Sequence, residues 1–191
     1  MKLKKMWKMS IGILGLVCAT LLFPLSPRTV IVEPSVFEMG NTRNDPEGYS
    51  WEIPVFTVEL TYRFEIGIYT VTFEEFDAYC EASGKEKKGD EGWGRANRPV
   101  ISVSWWDAAG YCNWLSLTEG VAPAYDSEGN FVDREGAQTN DITVVEGYRL
   151  PTSAEWEYAA HVSNRGGFHP ARFHETIGFR IARTVFSEKT E

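Results

Sequence analysis

Three groups of side chains in this 191-residue sequence have types suited to chemistry. His161, His169 and His174 are its three histidines, and Glu175 follows the last of them. Imidazole and carboxylate ligands hold non-haem iron or zinc when they converge on one point. Here seven residues separate the first pair and four the second, which matches no metal motif, and the plainer reading is surface or loop histidines. Cys80 and Cys112 form the second group. An oxidising compartment would permit them to pair, and the alternative is two separate thiols buried on helix faces. The third group is the polar run from Val121 to Glu146, with Asp126, Glu128, Asn130, Asp133, Glu135, Asn140 and Asp141. Such oxygen density would suit Ca²⁺, which takes roughly six to eight oxygen ligands, but the spacing is that of no familiar loop and a solvated insertion competes. The sequence has no Gly-rich phosphate loop, no serine nucleophile elbow and no CxxC zinc pair.

The elements that must position these groups belong to one domain. The hydrophobic fraction is 43% and the aromatic fraction 14%, enough for a single core. Seven Trp, eight Tyr and 17 Gly point to a compact, loop-rich fold rather than a helical bundle. Net charge is −8. Residues 1–27 carry Lys2, Lys4, Lys5 and Lys8 and no acid, so beyond them 15 basic residues face 27 acidic ones, a balance of −12. That excludes nonspecific nucleic-acid binding, which needs phosphate neutralisation.

Residues 1–27 read as a signal peptide or an N-terminal membrane anchor. A basic start precedes the apolar run Ile11–Leu25, which is short for a span of ~20 residues. No Ala-x-Ala site follows, so cleavage and retention both stand. Val17 is too large to precede a lipidated Cys18. Either way the domain 28–191 is expected outside the cytoplasm: periplasmic, extracellular, or held at a membrane facing outward.

Within that domain the periodicity predicts strands at Thr29–Val32, Val36–Met39, Pro54–Leu60, Phe64–Tyr69 and Val100–Val103. Three helix starts carry capping-box spacing: Thr72 with Glu75, Ser104 with Asp107, and Thr152 with Glu155. Phe76, Tyr79 and Cys80 mark the buried face of the first helix, and Ala108, Cys112 and Leu115 that of the second. Gly84 and Gly120 are the expected stops.

Taken together, these segments resemble one family in order. Val36-Phe37-Glu38-Met39-Gly40, Phe64 to Thr72, Asn97 to Ala108, Tyr111 to Leu115, Arg149 to Ala160, Arg165-Gly166-Gly167 and Gly178 to Arg183 are similar to the successive motifs of formylglycine-generating enzymes, also called sulfatase-modifying factor domains. The resemblance implies an α+β, irregular, loop-rich fold related to C-type lectins, with short antiparallel strands and about three helices. It also implies that the segments carrying Arg149, Arg165 and Arg180 pack near each other, with Glu155 and Trp156 among the structural residues. Guanidinium groups forked on Glu155 or Glu157 would then hold them together, and the alternative is exposed arginines.

Two departures limit what carries over. Ala160 is followed by only four residues before Arg165, where the family inserts a long segment that holds part of its metal-binding positions. The reactive cysteine pair that binds copper in the catalytic members is also missing, since no cysteine occurs after Cys112. Soft Cu(I) wants sulfur ligands. No catalytic residue is therefore assigned. The expectation is a noncatalytic binding module whose surface is Phe168, His169, Arg172, Phe173 and His174, facing a protein or glycan. The alternative is a metal-dependent oxidoreductase acting on a protein or thiol substrate.

Overall fold

The computed structural model describes residues 26–42, 50–163 and 178–186. Eight regular elements appear among them: β1 (Thr29–Val32), β2 (Ser35–Met39), β3 (Phe56–Leu60), β4 (Phe64–Gly67), α1 (Phe73–Ser83), α2 (Trp105–Thr118), α3 (Ser153–Ser163) and β5 (Ala182–Thr184). Short 3₁₀ turns lie at Ser50–Glu52 and Ile142–Val144. This is an α+β, loop-rich architecture with short antiparallel strands.

Each α-helix begins where its capping residues stand. At α1 the Thr72 N–H donates to Glu75 Oε2 at 2.7 Å, and the Glu75 N–H donates to Thr72 Oγ1 at 3.3 Å. Ser104 and Asp107 exchange the same two bonds at 3.1 Å each, and Thr152 and Glu155 at 2.7 and 3.1 Å. Two of the four orphan amides of each first turn are thereby satisfied by side chains already in place. Gly84 closes α1 in the left-handed conformation. The cap of α2 falls on Glu119, one residue before Gly120.

The strands form two small sheets. β4 lies between β1 and β5, antiparallel to both, with Phe64 opposite Val32 on one side and Thr184 on the other. β2 and β3 make a separate hairpin, with Phe37 opposite Val58. One apolar cluster gathers Phe76, Tyr79, Tyr111, Cys112, Leu115 and Val145 around α1 and α2. A second joins Val32, Leu60, Phe64, Ile66, Ala159 and Ala182, and so seats α3 on both sheets.

Three strand boundaries differ from the periodicity: β2 begins one residue early, at Ser35. β3 begins at Phe56 rather than Pro54, and β4 ends at Gly67 rather than Tyr69. The expected strand Val100–Val103 does not form. Val100 N–H bonds the Val71 carbonyl at 2.9 Å, but Ser102 takes a left-handed φ of 57°, which turns the chain out of the extended path.

Gly40 shows why a glycine closes β2. Its φ is 116°, an added Cβ would lie 2.6 Å from the Glu52 carbonyl, and its N–H donates to Glu157 Oε1 at 2.7 Å. Gly40→Ala is expected to destabilise the fold by about 1–3 kcal/mol through backbone strain and contact, read as a lowered midpoint in denaturant with an unchanged slope.

Candidate functional site

The Arg149–Ala160 stretch builds the polar centre of the molecule. Arg149 bonds reciprocally with Ala182 across an isolated bridge, which turns its side chain inward beside α3. Arg149 and Glu155 are both fully buried. The guanidinium forks onto the carboxylate, Nη1 to Oε2 and Nη2 to Oε1, each at 2.7 Å. The same carboxylate accepts the Thr152 amide at 2.7 Å and the Tyr62 hydroxyl at 3.0 Å. Burial alone would raise the Glu155 pKa. The Arg149 fork, the Thr152 amide and Tyr62 outweigh it and hold the carboxyl below its ordinary range. Burial pushes the Tyr62 hydroxyl up, and the neighbouring Glu155 charge adds to it, so it remains a donor. Arg149 Nε is the one buried side-chain nitrogen or oxygen without a partner among the described residues. The ion pair at its centre is enclosed and each charge meets its opposite, which makes it a structural anchor rather than a reaction centre.

Nearby, α2 and the following loop support the same segment. Asn113 Oδ1 accepts the amides of Ala124 and Tyr125, both at 3.1 Å, and Asn113 Nδ2 donates to the Tyr125 carbonyl at 2.8 Å. Tyr125 Oη in turn accepts the Leu150 amide at 2.9 Å. Tyr62, Asn113, Tyr125 and Thr184 were not singled out by the sequence. Their partners lie far along the chain, and no local spacing marks them.

Arg180 does not fork onto Glu155 or Glu157. Its Nε donates to the Gly67 carbonyl at 2.6 Å, and its guanidinium lies 5.4 Å from the Trp156 ring centroid. Glu155 is already taken by Arg149, and Glu157 reaches the Gly40 amide instead. His161 stands in the last turn of α3. Arg165 and the expected ligand surface Phe168, His169, Arg172, Phe173 and His174 lie outside the described residues.

The candidate metal donors fit poorly. Cys80 and Cys112 are both free and buried, on α1 and α2 respectively. Cys80 Sγ donates to the Glu86 carbonyl at 3.5 Å, and Cys112 is fully enclosed. Burial pushes both thiols up, against the thiolate form. The acidic loop spends its carboxylates on its own backbone. Asp126 accepts the amides of Glu128 and Asn130, Asp133 those of Glu135 and Ala137, and Asp141 that of Thr143. Side-chain bonds from Asn130 and Gln138 bring Asp126 down to about 2. These are turn-forming contacts on separate carboxylates and do not converge on a Ca²⁺ position. No group of three or more His, Cys, Asp or Glu side chains converges as a metal site among the described residues.

The pattern of the family described as Sulfatase-modifying factor enzyme 1-like domain matches residues 23–166, and the chain belongs to that family. Among curated proteins, it is 39% identical over 105 residues to Chaperone protein LppX of Paenibacillus barcinonensis, covering 51% of this chain and 35% of that one. It is 29% identical over 159 residues to the Formylglycine-generating enzyme of Thermomonospora curvata, covering 75% of this chain and 50% of that one. The solved structure of PvdO from Pseudomonas aeruginosa superposes with a TM-score of 0.53 at 26% identity, over 78% of this chain and 52% of that one. The chain thus spans about a third of the chaperone relative and about half of the other two.

Removing one partner of the buried pair leaves an uncompensated charge. Glu155→Gln is expected to cost about 3–5 kcal/mol, measured by chemical unfolding. Because the folded Glu155 pKa is depressed, its contribution is present above the ordinary carboxyl value of 4.5 and fades as pH falls through the lower folded value. The unfolding midpoint should therefore drop below pH 4.5 in the wild type and drop less in Glu155→Gln. In the folded protein, Cys80 and Cys112 should resist alkylation by iodoacetamide, and both should react after denaturation, as counted by intact mass.

Proposed function

We propose that this chain is an exported, noncatalytic binding module of the sulfatase-modifying factor family. Its ligand surface is the segment carrying Phe168, His169, Arg172, Phe173 and His174, and its partner is a protein. The observation that carries this reading is the state of the thiols. The only cysteines of the domain are free, buried and placed on separate helices, and burial raises both thiols, which speaks against the reactive cysteine pair implied by the resemblance. The similarity to a chaperone protein favours a protein over a glycan as the partner. The aromatic and cationic residues of 168–174 are of the types that dominate protein contacts. The apolar run before the domain supports export, and the acidic surface supports a soluble life beyond it.

A second reading is an oxidoreductase acting on a protein thiol, favoured by the similarity to a formylglycine-generating enzyme over 75% of the chain. One experiment separates the two. The full chain is mixed with an unfolding client protein, and aggregation is followed by light scattering. In parallel, O₂ uptake is measured with a cysteine peptide and one equivalent of copper. The expected result is suppressed aggregation that is lost in Phe168→Ala/Phe173→Ala with the melting temperature unchanged, and no O₂ uptake. Stoichiometric, thiol-dependent O₂ consumption would overturn the noncatalytic reading.

A further inference from the structure

The arginines of the described residues fall into two kinds, with one exception. Arg63, Arg95, Arg149 and Arg183 are each paired with a carboxylate, on Glu33, Asp77, Glu155 and Glu65. Arg28, Arg98 and Arg134 are exposed, where water solvates the charge. Arg180 is partly buried yet faces no carboxylate within ion-pair distance among the described residues. A guanidinium withdrawn from water is normally matched by an opposite charge, since its desolvation is otherwise uncompensated.

The side chain is nevertheless held in place. Nε is committed to the Gly67 carbonyl at 2.6 Å, and the Trp156 ring lies alongside at 5.4 Å. The two η nitrogens bond to no described residue. Neither is among the buried unpartnered atoms, and the residue as a whole is half-buried. Burial draws the pKa of Arg180 down, and no charge among the described residues offsets it. The result is a pre-positioned fork whose end-on edge is free. That edge matches the two oxygens of a carboxylate or phosphate, and fixing the fork in advance removes most of the ordering cost of binding. Ile68 and Tyr69, directly after Gly67, are both exposed and provide apolar and aromatic surface on the same stretch of chain.

We propose that Arg180 anchors an oxyanion-binding site, receiving a carboxylate or phosphate end-on through its two η nitrogens. The site goes beyond the binding surface at 168–174 and stands on different residues. A chain of net charge −8 repels free anions at long range, so occupancy depends on this local fork rather than on the general field.

The test is calorimetric titration of the full chain in a non-ionic detergent at fixed ionic strength. The probes are N-acetylglycine, inorganic phosphate and the uncharged N-acetylglycinamide. Saturable binding of either anion and none of the amide is expected. Preference for N-acetylglycine identifies a peptide carboxylate as the natural group, and preference for phosphate identifies a phosphoryl group. Arg180→Lys keeps the charge and loses the fork, and should weaken binding tenfold or more. Arg180→Gln should abolish it, with circular dichroism confirming a folded chain. If Arg180→Gln does not fold, the wild type and Arg180→Lys decide. No saturable binding of either anion by the wild type, or equal affinity in a folded substitution, would overturn the proposal and leave Arg180 as a packing residue stacked on Trp156.

Discussion

The fold depends on one ion pair that water never reaches. Arg149 and Glu155 lie only six residues apart, yet their fork holds together pieces from both ends of the domain. Tyr62, between the two sheets, donates to Glu155, and Arg149 Nη2 contacts Thr184 Oγ1 at 3.4 Å on the last strand. Two buried charges are a poor bargain unless the geometry is bidentate and the remaining lone pairs are filled. Both conditions hold for the carboxylate, which accepts from the guanidinium, the Thr152 amide and the Tyr62 hydroxyl. Misplacing α3, β5 or the turn at Tyr62 would strand a charge in the interior. The pair therefore specifies the arrangement more than it contributes net stability.

The apolar clusters are arranged on this polar centre. Ala182 belongs to the cluster under α3 and also bridges Arg149 through the backbone, while its neighbour Ile181 packs in the cluster around α1 and α2. The last described strand is thus the seam between the two halves of the core. β5 is three residues long, too short to be stable alone. Its position comes from β4 on one side and Arg149 on the other.

Local chemistry was legible in the sequence where both partners stand within one turn. All three capping boxes read from spacing appear as hydrogen bonds, and Phe76, Tyr79, Cys80, Ala108, Cys112 and Leu115 are buried as their helical period indicates. Long-range pairings were not legible. Glu157 meets the Gly40 amide across 117 positions, and Tyr62 meets Glu155 across 93. Glutamates 155 and 157 look alike in sequence, and only the tertiary fold assigns one to Arg149 and the other to Gly40. The missing strand at Val100–Val103 has a comparable cause: β-branched residues favour extension, but the left-handed turn at Ser102 wins. The resemblance supplied the fold class correctly because motif order encodes those distant contacts, which single-segment periodicity cannot.

Charge compensation also separates structure from function in this chain. Arg149 has its counter-charge and presents no surface to solvent. Cys80 and Cys112 have burial without any cation strong enough to draw out a thiolate: even with Arg149 acting on Cys112, desolvation wins. Groups in either state are chemically quiet, one because it is satisfied and the other because burial disfavours its thiolate. Arg180 is neither. It is charged, held by Gly67 and Trp156, and incomplete, with its two η nitrogens bonded to no described residue. The same residue type therefore gives a closed anchor at one position and an open valence at the other, and the difference lies in which carboxylates the fold has already assigned.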